Sequence, residues 1–191
     1  MPSATQLLAI QMDEAYRFVQ DRVQDLTDEE FFCEPVPECW TVRPGADGRW
    51  HADYAEPDPD PPPLTTIAWR LVHLAECKVM YHEYAFGPGR LIWPEIDSAH
   101  TAADAITELE RGQRLLVETL GGLTDVDLDA GRMTNWGEEW PTWKVLWTMI
   151  DHDLHHGGEI GALRDLYRER TMTTDRVPAG APALERERGT N

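Results

Sequence analysis

The 191 residues include 17 Lys and Arg against 35 Asp and Glu, which gives a formal charge of −18 at pH 7. A chain of this length can bury an apolar core without disulfide bonds, so we expect one domain and exclude the small cross-linked scaffolds. The acidic excess repels phosphate backbones and anionic lipid headgroups, so nucleic acid and membrane surfaces are not expected partners.

The sequence shows no signal that would take the chain out of the cytoplasm. No segment has the roughly 18 uncharged apolar residues of a transmembrane helix, and acids stand where a signal peptide needs a basic start and an apolar run. Cys33, Cys39 and Cys77 form an odd set without a CxxC pair, which suits a reducing compartment. We therefore expect a cytoplasmic protein.

The first predicted element is a helix over residues 4–26, with Ser3 as its N-cap. Its apolar residues recur at steps of three and four, which is typical of one buried helical face. They are Leu8, Met12, Ala15, Val19 and Val23. Thr27 and Glu30 have the spacing of a capping box, which predicts a short helical turn that ends before Pro35.

A Pro- and Asp-rich insertion follows, over about residues 34–64. This composition favours neither helix nor a strand ladder, so the insertion is predicted to be a long irregular connection. Such a connection is either a functional covering or a disordered excursion. Trp40, Trp50 and Tyr54 favour the covering, because large aromatic side chains usually pack on a surface.

Three further long helices are predicted, over residues 65–86, 101–120 and from Pro141 to about 170. Thr65 or Thr66 caps the first of them, and Thr124 opens a short turn between the other two. No run of β-branched residues alternates with polar ones, so no sheet is expected. The sequence therefore predicts an all-α bundle of four long helices over 1–170 and a solvated tail over 171–191.

Histidines occupy inward positions on two of these helices. His152 and His156 lie one turn apart on a stripe with Met149 and Ile160, and His73 lies on a second stripe with Cys77. Neutral imidazole is the commonest protein metal ligand, and three of them leave a tetrahedral ion one open position, as in catalytic sites. Hydrogen-bonded core histidines are the alternative interpretation, because buried polar groups are usually satisfied in that way.

His155 complicates the ligand assignment, because an i,i+3 pair with His152 is also compatible with one helical face, and spacing favours His156 only mildly. The histidines at 51, 82 and 100 are interpreted as structural or solvated.

Gly157 and Gly158 in mid-helix should lower the stability of the helix by about 1.5–2 kcal/mol relative to alanine. Either another backbone packs closely against them, or their missing side chains leave an opening beside the open metal position. Four tryptophans are expected to be core and loop-anchoring residues: Trp136, Trp140, Trp143 and Trp147.

The segments TTIAWRLVHLAE and HDLHHGGEIGALRDLYR together resemble the DinB-like or YfiT-type superfamily of damage-inducible proteins. That superfamily also includes the metal-binding domain of mycothiol-dependent maleylpyruvate isomerase. The likeness covers roughly residues 4–170. It implies a four-helix bundle of up-down-down-up order, in which His73, His152 and His156 ligate a divalent ion, usually zinc or nickel. It disfavours His155 as a ligand.

The resemblance also implies a function in stress response. Several members are transferases that present a low-molecular-weight thiol, mycothiol or bacillithiol, to a small electrophile, so a thiol and a small-molecule substrate are the implied partners. A thiol that takes the open position on a cation held by three neutral imidazoles is deprotonated and becomes a nucleophile. The long insertion and the lack of the additional C-terminal domain of the isomerase argue against isomerase activity.

Three questions stay open at the level of sequence. If water instead of thiol takes the open position, the protein would be a metal-dependent hydrolase. If the three histidines bind a metal only structurally, or bind none, the protein would be a non-catalytic sensor or interaction module. Glu159 is a weak catalytic candidate, for orienting a ligand or for proton transfer, but it could equally point to solvent or pair with Arg164. A homodimer and an acidic monomer are both compatible with a bundle of this kind.

Overall fold

In a computed structural model, the protein is mostly helical. The structure describes residues 1–57 and 59–176, with only the backbone described for 173–176. The helices are α1 (Ala4–Val23), α2 (Asp28–Phe31), α3 (Ile67–Ala85), α4 (Ala102–Gly121) and α5 (Thr142–Arg176). Short 3₁₀ helices span Trp93–Glu95 and Asp125–Asp129. The strands are β1 (Val42–Pro44), β2 (Trp50–Ala52), β3 (Gly131–Met133) and β4 (Glu139–Pro141).

The four long helices pack on one another through their predicted apolar faces. α3 packs against α4 and α5, and α1 packs against α5 and less extensively against α4. Val19, Leu71 and Ile160 lie at the centre of one part of the core, and Met12 and Met149 at the centre of another. The predicted all-α class is confirmed, and α3 and α5, the two helices with candidate ligands, are in direct contact.

Side-chain caps begin the helices where the sequence predicts them. Ser3 forms a full capping box with Gln6 at the start of α1. The hydroxyl of Thr66, rather than that of Thr65, accepts the backbone N–H of Trp69 at the start of α3. These caps satisfy N–H groups that would otherwise lack a partner in the first helical turn. The cap at Thr66 makes Ile67, six residues before His73, the first residue of α3.

Two small β-hairpins contradict the prediction that the chain has no sheet. β1 pairs antiparallel with β2, and β3 pairs antiparallel with β4. Gly48 and Gly137 have φ values of +83° and +89° in the two connecting turns, a conformation that glycine adopts without steric cost. Each strand has only three residues, too few for an alternating pattern to be recognised in the sequence.

The insertion lies against the N-terminal part of α3. The backbone N–H of Trp40 donates to the carbonyl of Leu64, at 2.9 Å, and the indole N–H of Trp69 donates to the carbonyl of Asp53, at 2.8 Å. Trp50 packs against the core, whereas Tyr54 is 71% exposed. Within the described residues the insertion therefore covers the end of α3 that leads into His73.

The last helix differs from its predicted bounds at both ends. α5 begins at Thr142, because Pro141 ends strand β4, and it continues to Arg176, beyond the predicted end near 170. Residues 171–176 of the predicted tail therefore belong to α5, and residues 177–191 lie outside the described part of the chain. Among the described helices, none combines the length and the apolar composition needed to cross a membrane.

Candidate metal centre

Three histidines from two helices meet at the contact between α3 and α5. The ring of His73 lies 5.7 Å from that of His152 and 5.0 Å from that of His156, measured between centroids. One ring nitrogen of each residue lies within 4.8 Å of those of the other two. The structure thus brings together the three residues that the sequence analysis selected.

A buried ion pair joins the same two helices beside the histidines. Lys78 of α3 donates from Nζ to Oδ2 of Asp153 on α5, at 2.7 Å, and also to Oε1 of Gln113, at 2.9 Å. Both charged side chains are at most 1% exposed, and Oδ1 of Asp153 has no hydrogen-bond partner. Because Asp153 follows His152 directly, this pair fixes the register of α5 against α3 at the candidate site.

Burial keeps all three imidazoles neutral near pH 7. It lowers the pKa of His73 to about 3, with further lowering by His156, His152 and Arg70. It also lowers the pKa of His156 to about 3, assisted by Arg70, and it lowers the pKa of His152. A neutral imidazole offers a nitrogen lone pair, which is the form that binds zinc or nickel.

The hydrogen bonds leave one nitrogen of each α5 histidine available. Nδ1 of His152 lies 3.0 Å from the carbonyl oxygen of Thr148, which can only accept, so Nδ1 carries the proton and donates it. Nδ1 of His156 lies 2.6 Å from Oε2 of Glu159 and donates in the same way. In both rings Nε2 is then the free donor atom for a metal. This tautomer arrangement is the one that outer partners impose on metal-binding histidines.

Glu159 is held by residues of both helices. Besides His156, it contacts Nε of Arg70 at 3.0 Å and Nε2 of His155 at 3.4 Å. The alternative pairing with Arg164 is wrong, because Arg164 makes a bidentate ion pair with Glu30 instead. Arg70 was not selected from the sequence, although its place one turn before His73 on α3 was a signal that could have found it.

A second group could also hold an ion, formed by His155, His156 and Glu159. It shares His156 with the first group, so one ion cannot use both sets fully. In the structure Glu159 already accepts from Arg70 and His156, and His155 is exposed. The trio of neutral, largely buried imidazoles therefore fits a divalent ion better than this exposed group, whose carboxylate has other partners.

Cys77 lies on the same stripe of α3 but is not a candidate ligand. Its Sγ lies 3.6 Å from Nε2 of His73, and burial raises the pKa of its thiol to about 12. No group with metal-binding geometry among the described residues includes Cys77. The cysteine is a packing neighbour of His73.

The other histidines have ordinary partners. His51 contacts the carboxylate of Asp47, His82 contacts the hydroxyl of Thr119, and His100 stacks on Trp50. No grouping with metal-binding geometry includes them within the described residues.

The two glycines of α5 have different surroundings. A Cβ on Gly157 would lie 2.9 Å from Cδ1 of Phe18, so α1 packs closely there, whereas a Cβ on Gly158 would meet no atom within 4 Å. Close packing therefore accounts for Gly157, although the neighbours are side chains of α1 and not another backbone. Gly158 faces open space.

The tryptophans beside α5 are not core residues. Trp136, Trp143 and Trp147 are 44–49% exposed, which contradicts that part of the prediction. Trp136 and Trp140 contact each other and Tyr81, so these two do anchor the hairpin of β3 and β4 against α3. Tyr81 in turn lies 6.3 Å from the ring of His152.

Comparison with known proteins identifies the family of this chain. A family model of the DinB superfamily matches residues 11–160. Among solved structures, a conserved protein from Enterococcus faecalis has a TM-score of 0.53 and 16% sequence identity, over 88% of this chain and 99% of that chain, which shows likeness of fold alone. No curated protein matches the chain. Because the family match includes α3 and the histidine pair of α5 and covers most of the chain, the protein belongs to the DinB superfamily.

Proposed function

We propose that this protein binds one divalent ion, zinc or nickel, through His73, His152 and His156 in a four-helix bundle of up-down-down-up order. We propose further that it transfers a low-molecular-weight thiol of the mycothiol or bacillithiol type to a small electrophile. The observation that supports the proposal is the convergence of three neutral imidazoles from α3 and α5 within 4.8 Å. The free state of its three cysteines agrees with a cytoplasmic location.

The donor set fits this chemistry. Three neutral ligands leave the charge of a bound cation uncompensated, and such a cation supplies Lewis acidity that favours the thiolate form of a thiol. The protein's own residues prepare the site. Glu159 holds the proton of His156 at Nδ1, and the carbonyl of Thr148 does the same for His152, so both rings are fixed in orientation before any ligand arrives.

Arg70 adds a positive charge next to these ligands. Its guanidinium contacts Glu159 at 3.0 Å and lies 5.0 Å from the ring of Trp69. Since Arg70 contributes to the lowered pKa values of His73 and His156, it favours their neutral forms. The same charge would stabilise an anionic nucleophile near the site, which is what thiol transfer requires.

The transferase is tested with metal-loaded protein, 1-chloro-2,4-dinitrobenzene as the electrophile and a panel of thiols that includes mycothiol and bacillithiol. We expect chloride displacement that needs both a thiol and the metal, and that disappears in His156→Ala. His155→Ala serves as the control, because His155 is exposed and adjacent but outside the trio.

Three results would argue against this function. Ester cleavage that needs metal but ignores added thiol would favour the hydrolase. Stable metal binding without reaction with any thiol would favour the non-catalytic module. Full activity in His156→Ala would remove the metal site from the mechanism.

A further inference from the structure

A cavity of about 560 Å³ lies beside His73, between α3, the insertion and the connection from α3 to α4. On α3 it is lined by Trp69, His73 and Glu76, which follow one another at steps of four and three and so share a helical face. The insertion and the connection supply the other walls, which include Trp40, Asp53, Tyr54, Trp93 and Ser98. The cavity and the metal ligands thus share one residue, His73.

Aromatic rings form much of the cavity wall. Trp40 and Trp69 lie 5.9 Å apart between centroids, and Trp93 and Tyr54 contribute from the two connecting segments. Trp93 and Tyr54 are 42% and 71% exposed, so they stand at the solvent side. Electron-rich rings that surround a cavity attract organic cations through their negative faces.

Besides His73, the wall carries two carboxylates and one imidazole. Asp53 and Glu76 line the cavity, as does His51, whose ring contacts the carboxylate of Asp47, and no Lys or Arg is among the described lining residues. The carboxylate of Asp53 accepts from Nε of Arg43 and from the backbone of Thr41, so its charge is compensated. An anionic ligand would therefore find no Lys or Arg as a counter-charge on this wall.

Glu76 differs from Asp53 in having no Lys or Arg partner among the described residues, although the imidazole of His51 on the same wall acts to lower its pKa. It accepts one hydrogen bond, from Oγ of Ser98 at 2.6 Å, and it takes part in no ion pair among the described residues. Burial raises the pKa of Glu76 to about 7. A carboxylate that is taken out of water without a cation is unfavourable, so a cationic ligand would gain strongly from this position.

We propose that the cavity binds the ammonium group of a small organic cation, with Glu76 as the counter-charge and Trp40 and Trp93 as the aromatic wall. The tryptophans favour an organic ammonium ion over a metal ion, because a metal ion requires several polar ligands and gains little from apolar rings. One part of the inference rests on the proposed function, namely that this cation belongs to the substrate and is held next to His73. Binding itself is independent of the metal.

The test compares choline with 3,3-dimethyl-1-butanol, a neutral molecule of the same shape. Binding is measured by calorimetry at pH 8, above the pKa of about 7 of Glu76. We expect choline to bind at least about 10-fold more tightly than the neutral molecule. Glu76→Gln keeps an acceptor for Ser98 and should remove most of this preference, and Trp93→Leu should weaken choline binding several-fold.

The controls are Glu110→Gln, which removes an exposed charge of α4, and Trp143→Leu, which removes an exposed tryptophan of α5. Both should bind choline like the wild type. Equal affinity for choline and the neutral molecule would overturn the inference. So would a preference for choline that survives in both Glu76→Gln and Trp93→Leu, with far-UV circular dichroism showing that the variants are folded.

His152→Ala separates this inference from the proposed function, because His152 is a candidate ligand that does not line the cavity. Loss of metal with unchanged choline binding supports both proposals. Choline selectivity in a wild-type protein that binds no metal would overturn the proposed function and leave the cavity assignment standing. Thiol transfer without choline selectivity would support the proposed function and overturn the cavity assignment.

Discussion

His73 is enclosed by two aromatic rings and a sulfur atom. Its ring stacks on Trp69 at 4.8 Å and on His152 at 5.7 Å, and Cys77 borders its edge. These neighbours restrict the rotamers of His73 and remove water from around it. The same packing that makes the ring neutral also holds it in place for a metal, so binding requires little reorganisation.

Glu159→Gln tests the contribution of the hydrogen bond to His156. Glutamine keeps the size of the side chain but loses the charge that holds the proton on Nδ1. We expect metal affinity to fall by about 10–100-fold, as is usual for such outer partners. Competition with a chromophoric chelator measures the affinity. Asp165→Asn, which removes an exposed charge of the same helix, is the matched control, and an equal effect of both variants would contradict the role of Glu159.

Lowering the pH should destabilise the metal-free protein. His73 and His156 have pKa values of about 3 in the folded protein, against about 6.5 in an unfolded chain. Between these values the unfolded chain takes up more protons. The free energy of unfolding therefore falls as the pH drops below about 6.5, by at most about 1.4 kcal/mol per pH unit for each histidine.

Urea unfolding at pH 7, 6 and 5 in the presence of a chelator measures this effect. Glu76 acts with the opposite sign, because its pKa is raised to about 7 in the folded protein. A comparison with His73→Gln cancels that contribution, since both proteins keep Glu76. The variant should lose less stability on acidification than the wild type, and an equal loss in both would show that His73 is not buried as a neutral ring.

The helical period makes the ligand positions predictable from sequence, but it does not predict contacts between partners on different helices. On a helix, side chains three or four residues apart share a face, so the stripes through His73, His152 and His156 follow from local geometry. The contact of Arg70 with Glu159 crosses between two helices that are far apart in the chain. It depends on how α3 and α5 rotate against each other, which no local pattern encodes.

At the scale of elements, the contact of α3 with α5 includes a buried ion pair that should be costly to break. Removing Asp153 in Asp153→Ala leaves the ammonium of Lys78 buried without its counter-charge. We expect a loss of about 3–5 kcal/mol in the free energy of unfolding. The double variant Lys78→Met/Asp153→Leu should recover most of this loss, because no charge is then buried.

Chemical denaturation of the single and the double variant provides the measurement. A loss below about 1 kcal/mol in Asp153→Ala would mean that water or another group compensates Lys78. A double variant no more stable than the single one would show that the packing of the site, rather than the charge, was lost.

The adjacent glycines of α5 form a matched pair. Gly158→Ala should stabilise the protein by up to about 1 kcal/mol, because alanine is the better helix former and its Cβ meets no neighbour. Gly157→Ala places a Cβ 2.9 Å from the ring of Phe18 and 3.2 Å from Val19, so we expect a net loss of about 1–3 kcal/mol. Thermal unfolding of both variants checks the contrast, and effects of the same sign would contradict the close packing of α1 on α5.

The predicted helices agree with the structure more closely than the predicted connections do. Long periodic segments with Ser or Thr caps define α1, α3 and α4 within a few residues of their predicted bounds. The two hairpins are not predicted, because their three-residue strands form by pairing with each other and carry no alternating pattern that the sequence would show. Pro141 shows the ambiguity, since it suits the first turn of a helix as well as the end of an edge strand.

At the scale of the whole molecule, the candidate centre joins segments that are distant in the chain. His73 comes from α3, the other two ligands from α5, and the insertion covers the α3 side of the site. The sequence predicts that the insertion is irregular. It does not predict that Trp40 of the insertion packs beside Trp69 and lines a cavity. That arrangement depends on contacts such as the bond from Trp69 to the carbonyl of Asp53.

Zinc titration against a chromophoric chelator tests the central claim most directly. We expect one zinc per chain and a loss of at least about 100-fold in affinity in His73→Ala, His152→Ala and His156→Ala, with less than about threefold change in His155→Ala. Wild-type affinity in any of the first three variants, or a large loss in His155→Ala, would contradict the assignment of the ligands.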